Sequence, residues 1–171
     1  MDEGPTIFHR DDVLCIGAWR DVMLELWSGE GTIEHFRIVR ASSRRIVERT
    51  PSRRVCFVSS VQVEAFRPVP QDVRNEMVAR DREIGPHLVA AALVVSNKGF
   101  VASIVRSMLA GLQMTSTGRG PSRVFDDEIT ALAWLAPYVS SIGARACTPG
   151  DLRSAIAAAR GAPPIRALHA L

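Results

Sequence analysis

The chain has 171 residues, of which 47% are hydrophobic and 23% are charged, and its formal net charge is +3. These proportions are typical of a single globular domain and exclude a mainly disordered chain. The longest uninterrupted apolar run, Leu88 to Val95, is far shorter than the ~20 residues of a membrane-spanning helix, and the acidic N-terminus lacks the apolar segment of a secretory signal. We therefore expect a cytoplasmic protein without a transmembrane segment.

The first part of the chain predicts an antiparallel hairpin followed by a helix. Residues 1–12 are polar, and we expect them to be frayed at the start. Two apolar runs, 13–19 and 22–27, flank the polar pair Arg20-Asp21, which is typical of two strands joined by a tight turn. Apolar residues recur at helical spacing from Ile33, and Pro51 ends this helix because the residue before a proline avoids the α region.

The middle of the chain predicts alternating strands and helices. Residues 55–58 have the composition of a short buried strand that continues to Val63. A helix begins near Asp72 and ends at Gly85-Pro86. The apolar run 88–95 is typical of a central strand covered on both faces, and residues 100–112 carry apolar side chains at the i, i+4 spacing of a buried helix.

The last part predicts a short edge strand over 123–125 and a helix that begins at the three acids 126–128. Thr148-Pro149-Gly150-Asp151 is a strong start signal for one more helix. The predicted order is thus β-β-α-β-α-β-α-β-α plus a C-terminal helix. This order indicates an α/β domain with a mixed, mostly parallel sheet and helices packed on it.

This order, together with the segment Phe125 to Leu135, resembles the STAS-type, SpoIIAA-like domains of anti-sigma-factor antagonists and their bacterial relatives. In those domains a short strand meets acids and then a helix with an Ala-x-x-Trp-Leu core stripe, as in Ala131 to Leu135 here. The resemblance covers residues 10–142 and leaves residues 143–171 as a C-terminal helix and tail. It implies a non-enzymatic regulatory or protein-interaction module that docks an unidentified regulatory protein.

The resemblance also implies a phosphorylation site. In anti-sigma-factor antagonists, a serine just after the third strand, in an Asp-Ser-Ser-Gly-like turn, is phosphorylated by a partner kinase. The comparable segment here is Val58-Ser59-Ser60-Val61, which lacks the acid and the glycine. Ser59 and Ser60 are therefore the phospho-acceptor candidates. The alternative is a strand end whose hydroxyls face solvent or bond the backbone.

A second candidate site follows the apolar strand 88–95. Ligands gather at the carboxyl ends of strands in α/β sheets, and helix N-termini attract anions. Asn97, Lys98 and Gly99 lie in such a strand-to-helix turn, and Lys98 is the one lysine of the chain. SpoIIAA-like folds include lipid carriers, so the alternative function is a small-ligand or lipid-binding domain with its site near Lys98. A turn without any ligand is the simpler interpretation.

A third candidate is a basic helix face. Seven arginines lie between residues 37 and 54, and Arg37, Arg40 and Arg44 share one face of the predicted helix. Such a face suits a phosphate-rich partner. No aromatic residue, helix-turn-helix or zinc-finger pattern accompanies it, which argues against nucleic acid and for a solvated surface.

The remaining patterns predict neither metal, cofactor nor catalysis. Cys15, Cys56 and Cys147 have neither metal-ligand nor redox spacing, and no pair of histidines has zinc-ligand spacing. No nucleophile elbow is present, so we expect no enzyme. Trp134 is expected in the core. Trp19 and Trp27 lie beside the hairpin turn and at its far end, where partial exposure would favour a homodimer.

Overall fold

The computed structural model describes residues 4–61, 69–96 and 120–161, which contain six strands and four α-helices. In chain order these are β1 (Thr6–Arg10), β2 (Leu14–Trp19), β3 (Val22–Trp27), α1 (Ile33–Arg49), β4 (Val55–Val61), α2 (Gln71–Ile84), β5 (Leu88–Val95), β6 (Ser122–Phe125), α3 (Glu128–Ile142) and α4 (Pro149–Gly161). The helix expected over residues 100–112 lies outside the described residues.

The strands form one sheet in the order β1-β2-β3-β4-β5-β6. The first three strands pair antiparallel, and β3 to β6 pair parallel. The predicted α/β class with a mixed, mostly parallel sheet and a C-terminal helix is confirmed. The tight turn at Arg20-Asp21 is also confirmed, because Trp19 and Val22 face each other at the end of the β2–β3 ladder.

No strand was expected within residues 1–12, but β1 lies there. It pairs with β2 through a ladder that is irregular between Ile7 and His9. Ile7 packs against the core on one face of the sheet and Phe8 against the core on the other. The strand is half-buried and mostly polar in composition, so backbone pairing with β2 holds it in place. Because its side chains show no apolar alternation, the sequence does not predict it.

Side chains alternate between the two faces of the sheet and build two cores. On one face, Ile16 and Met23 pack with Val39 of α1 and Ile84 of α2. On the opposite face, the sheet packs against α3 and α4. The residues of that second core with less than 2% exposure include Leu24, Val58 and Ala92 of the sheet, Leu132 and Leu135 of α3, and Leu152 and Ile156 of α4.

The C-terminal helix α4 belongs to the second core. Leu152 and Ile156 are fully buried within it. The guanidinium of Arg10 donates to the carbonyls of Ala159 and Arg160, which lie among the last carbonyls of α4 that lack a partner within the helix. The sheet thus starts before residue 10, and the segment 143–161 packs on the same chain.

The tryptophans differ from expectation. Trp19 and Trp27, expected to be partly exposed, are buried at 5% and 7% exposure because helices cover both faces of the hairpin. Trp27 stacks on Phe36 of α1 at 5.1 Å between ring centroids. Trp134, expected in the core, is only half-buried on α3. The hairpin therefore offers no exposed tryptophan for an interface.

Candidate functional site

A groove of about 530 Å³ lies at the end of the sheet where β2 turns into β3. Its walls are the hairpin turn, the start of β1 and the carboxyl-terminal ends of α1 and α3. Ile46 and Val139 form its buried apolar base, and Arg49 and Arg145 are exposed at its rim. Its volume falls within the ~300–1,000 Å³ range of small-molecule sites.

Three chain reversals create this groove. Arg20 makes the hairpin turn with a φ of 51°, in the left-handed region that residues other than glycine rarely adopt. The end of α1 is fixed by the hydroxyl of Thr50, which donates to the carbonyl of Ile46 at 2.9 Å. At the end of α3, the Gly143 amide donates to the carbonyl of Val139 at 3.0 Å.

Arginines from three separate elements converge on the groove. Arg20 is half-buried: its guanidinium lies 4.3 Å from the centre of the Trp19 ring and donates to the carbonyl of Ala146 at 3.3 Å. Arg49 ends α1, with its guanidinium 5.7 Å from the centre of the Phe8 ring. Arg145 follows α3. We call this site, defined by Arg20, Arg49 and Arg145, the arginine groove.

Negative groups offset part of this charge. Asp21 lines the groove, and burial raises the pKa of its carboxyl above the ordinary value. The carboxyl-terminal ends of α1 and α3 each carry a partial charge of about −0.5. Arg20 is already engaged within the chain, by the Ala146 carbonyl and by the charge of Asp151. The exposed guanidinium groups of Arg49 and Arg145 are therefore the positive charges that favour an anion in the groove. The groove also offers a hydrogen-bond acceptor in its wall, the carboxylate of Asp21.

The predicted phospho-acceptors lie elsewhere, inside β4. Ser59 and Ser60 are 3% and 4% exposed, and as neighbours on a strand they point to opposite faces of the sheet. The Ser59 hydroxyl donates to Oε1 of Glu25 at 3.4 Å, whereas the Ser60 hydroxyl accepts from Arg160 at 3.3 Å. Phosphorylation of either serine stays a prediction, and it requires that the end of β4 opens to a kinase.

The predicted basic face is paired within the protein. Arg40 contacts Glu76 at 3.2 Å and also binds Glu83, and Arg44 contacts Glu83 at 3.4 Å. These ion pairs join α1 to α2, and they lower the pKa of Glu83. The third residue, Arg37, contacts Glu34 one turn earlier in α1 at 3.4 Å. The acids of α2 and α1 thus neutralise much of this face.

The third predicted site, at Asn97, Lys98 and Gly99, lies outside the described residues. The arginine groove was not predicted from the sequence. Arg49 is one of the seven arginines between residues 37 and 54. Arg20 and Ala146, however, meet at the groove although they are 126 positions apart in the sequence. No local pattern relates residues at such a distance, so only the fold reveals that they meet.

Comparisons with protein-family models, with curated proteins and with solved structures find no protein that matches this chain. Within residues 4–61, 69–96 and 120–161, no group of histidine, cysteine, aspartate and glutamate side chains is arranged to hold a metal ion. None of the helices in these ranges combines the length and the apolar composition of a bilayer-spanning segment. The function is therefore argued from the arginine groove.

Proposed function

We propose that this chain is a non-enzymatic protein-interaction module whose arginine groove binds an acidic segment of a partner protein. The observation that carries the proposal is the convergence of Arg20, Arg49 and Arg145 from three elements on one concave site. Guanidinium groups bind carboxylates through paired, charge-assisted hydrogen bonds. The proposal agrees with the protein-docking role that the SpoIIAA-like resemblance implies.

The chemistry of the groove suits a polypeptide. Its rim arginines match acidic side chains, whereas the carboxylate of Asp21 matches backbone N–H donors. The buried base at Ile46 and Val139 accepts apolar groups between them. An acidic peptide brings carboxylates, N–H donors and apolar atoms together, whereas a small inorganic anion brings only the first of these.

The basic surface extends beyond the groove, which favours an extended occupant. Arg45 is exposed on α1 and lies, like Arg49, 5.7 Å from the ring of Phe8. Arg53 is exposed in the turn after α1, where its amide donates to the carbonyl of Thr50 at 2.9 Å. An acidic segment that leaves the groove along the end of α1 therefore meets further positive charge.

The test is a direct titration with a fluorescein-labelled octaglutamate peptide, followed by fluorescence anisotropy at low and at physiological salt. The wild-type protein should bind the peptide, and binding should weaken with salt. Arg49→Gln and Arg145→Gln should each weaken it about five- to tenfold, since a hydrogen bond to a charged group contributes ~1.5–3 kcal/mol and these side chains are exposed.

Arg37→Gln is the matched control, because Arg37 is an exposed arginine on the same helix as Arg49 but is not part of the groove. It should change binding less than about twofold. If the wild-type protein does not bind octaglutamate, this result contradicts the proposal. So does an Arg37→Gln variant that loses as much affinity as Arg49→Gln, because the attraction would then be non-specific.

A second candidate, a binding domain for a small anion, is favoured by the groove volume of about 530 Å³. Citrate and pyrophosphate are suitable probes, because each carries several negative charges in a compact body. Calorimetric binding of either anion, lost in Arg49→Gln, together with no binding of octaglutamate, would select this candidate over the first.

The regulatory part of the proposal is phosphorylation at Ser59 or Ser60. A phosphate inside β4 would place about two negative charges within the sheet and disturb the strand pairing around it. Mass spectrometry of the protein purified from its native host tests this part. If both serines are unmodified, and Ser59→Ala and Ser60→Ala leave peptide affinity unchanged, phosphorylation does not regulate binding, while the binding proposal stands.

A further inference from the structure

The outward face of α3 is mainly apolar, and Thr130 and Ser141 are the polar residues among its exposed positions. Glu128 is the one charged residue of this helix, and it lies at the first position. Ile129 is 72% exposed, and the side chains on the same side one and two turns later are also apolar. We call this surface the α3 outer face, and its members are Ile129, Ala133, Trp134, Pro137 and Tyr138.

Two aromatic rings stiffen the face. Trp134 packs between Phe125 and Tyr138, with ring centroids 5.5 Å and 5.0 Å apart. Both Trp134 and Tyr138 are half-buried, so each ring is anchored on the core side. Rings held in this way lose little conformational freedom when a partner covers them, which is why aromatic residues are enriched in interfaces.

The other exposed large apolar side chain of the described residues does not form such a surface. Val78 on α2 is 46% exposed. Its neighbours one turn away, Arg74 and Arg82, are both charged and exposed. Single exposed apolar residues of this kind are ordinary, whereas a continuous apolar helix face indicates a contact surface.

Charges at the two ends of α3 favour a second copy of this chain as the occupant. Asp126 is exposed just before the helix, and Arg145 is exposed just after it. In a two-fold dimer each surface meets its own copy. If two copies of α3 pack antiparallel, Asp126 of each copy lies opposite Arg145 of the other, and the helix dipoles are also antiparallel. The apolar positions 129–138 then meet between these charged ends.

We propose that the α3 outer face is the interface of a homodimer in which two copies of α3 pack antiparallel. The proposal goes beyond peptide binding, although Arg145 serves both surfaces. Ile129 and Ala133 do not line the arginine groove. Substitutions at these two positions therefore test the dimer separately from the binding function.

The test is sedimentation equilibrium of the full chain over a range of concentrations. The wild-type protein should dimerise. Ala133→Glu and Ile129→Glu should weaken the dimer at least about tenfold, since each buries an unpaired carboxylate at the contact. Both positions are exposed, and glutamate is a good helix former, so the fold should persist. Val78→Glu is the matched control and should leave dimerisation unchanged.

Exchanging the charges of Asp126 and Arg145 distinguishes a specific interface from non-specific association. Asp126→Arg alone places two arginines opposite each other and should weaken the dimer severalfold. Asp126→Arg combined with Arg145→Asp restores the opposite charges and should recover most of the affinity. A wild-type chain that stays monomeric, a Val78→Glu variant as impaired as Ala133→Glu, or a double exchange without recovery would each overturn the antiparallel dimer.

Discussion

The carboxylate of Glu25 in β3 lies 2.9 Å from the guanidinium of Arg80 on α2, and Glu25 is only 7% exposed. Oε1 of Glu25 accepts hydrogen bonds from Trp27 at 2.7 Å and from Ser59 at 3.4 Å, whereas Oε2 accepts none from the described residues. The contact with Arg80 is therefore electrostatic, without the geometry of a hydrogen bond. Arg80 also donates to Ser43 of α1 at 3.0 Å, so this one side chain ties both helices to the sheet.

Arg80→Met should strongly destabilise the protein, because it leaves the Glu25 carboxylate buried without its cation. The expected loss in the free energy of unfolding is about 3–5 kcal/mol. Urea denaturation followed by tryptophan fluorescence measures it. The exposed Arg82 on the same helix supplies the control, and Arg82→Met should change stability by less than about 0.5 kcal/mol.

A double variant tests whether the loss comes from the unpaired charge. Glu25→Gln combined with Arg80→Met removes both charges, so it should be more stable than Arg80→Met alone. If the double variant loses the full sum of the two single losses, the two residues do not interact.

The two serines of β4 should respond differently to a new negative charge. Ser59→Asp places a second carboxylate against Glu25, whereas Ser60→Asp places one beside Arg160. Like charges at such short range are strongly unfavourable, so Ser59→Asp should lower the free energy of unfolding by about 3 kcal/mol or more, and Ser60→Asp by clearly less. Urea denaturation of both variants, with Ser59→Ala as the uncharged control, measures the difference. Equal losses would show that the opposite orientation of the two side chains is incorrect.

Asp11 should make stability depend on pH. Burial would raise its pKa, but hydrogen bonds from the amides of Leu14 and Val13 and from His9 outweigh that effect and lower it to about 2. A carboxyl with a lowered folded-state pKa stabilises the fold above its unfolded value of about 3.9, and this contribution is lost as pH falls toward the folded value.

Asp11→Asn should therefore be less stable than wild type at neutral pH, and the difference should shrink below about pH 4. We expect a difference of about 1 kcal/mol, since the side chain is 37% exposed and solvent screens it. Urea denaturation at several pH values between 7 and 3 measures it. Asp12→Asn, at the exposed neighbouring position, is the control and should run parallel to wild type.

The C-terminal helix should be essential to stability. Leu152 is fully buried against the sheet, so Leu152→Ala should lower the free energy of unfolding by about 2–5 kcal/mol. Arg153→Ala, at the exposed next position, should change it by less than about 0.5 kcal/mol. Thermal and urea denaturation compare the two variants. Similar small effects for both would mean that α4 does not pack on this domain in solution.

The strands from β2 to β6 and the helices α1, α2, α3 and α4 could be predicted because their signals are local. Apolar spacing, a helix-ending proline and the acids before α3 act over a few residues. β1 could not be predicted, since its half-buried side chains leave no apolar alternation and its stability comes from pairing with β2. The burial of Trp19 and Trp27 could not be predicted either, because their exposure depends on which helices cover the hairpin.

The sequence by itself determined the α/β class and the order of the described elements after β1, because those follow from short-range patterns of apolar and polar residues. The tertiary structure alone decided which arginines are paired and which line a groove. Arg40 meets Glu76 and Glu83 at separations of 36 and 43 positions, and Arg20 meets Ala146 at a separation of 126. The sequence shows how many arginines the chain has, but the packing of helices on the sheet decides which group each arginine contacts. The candidate site depends on those contacts.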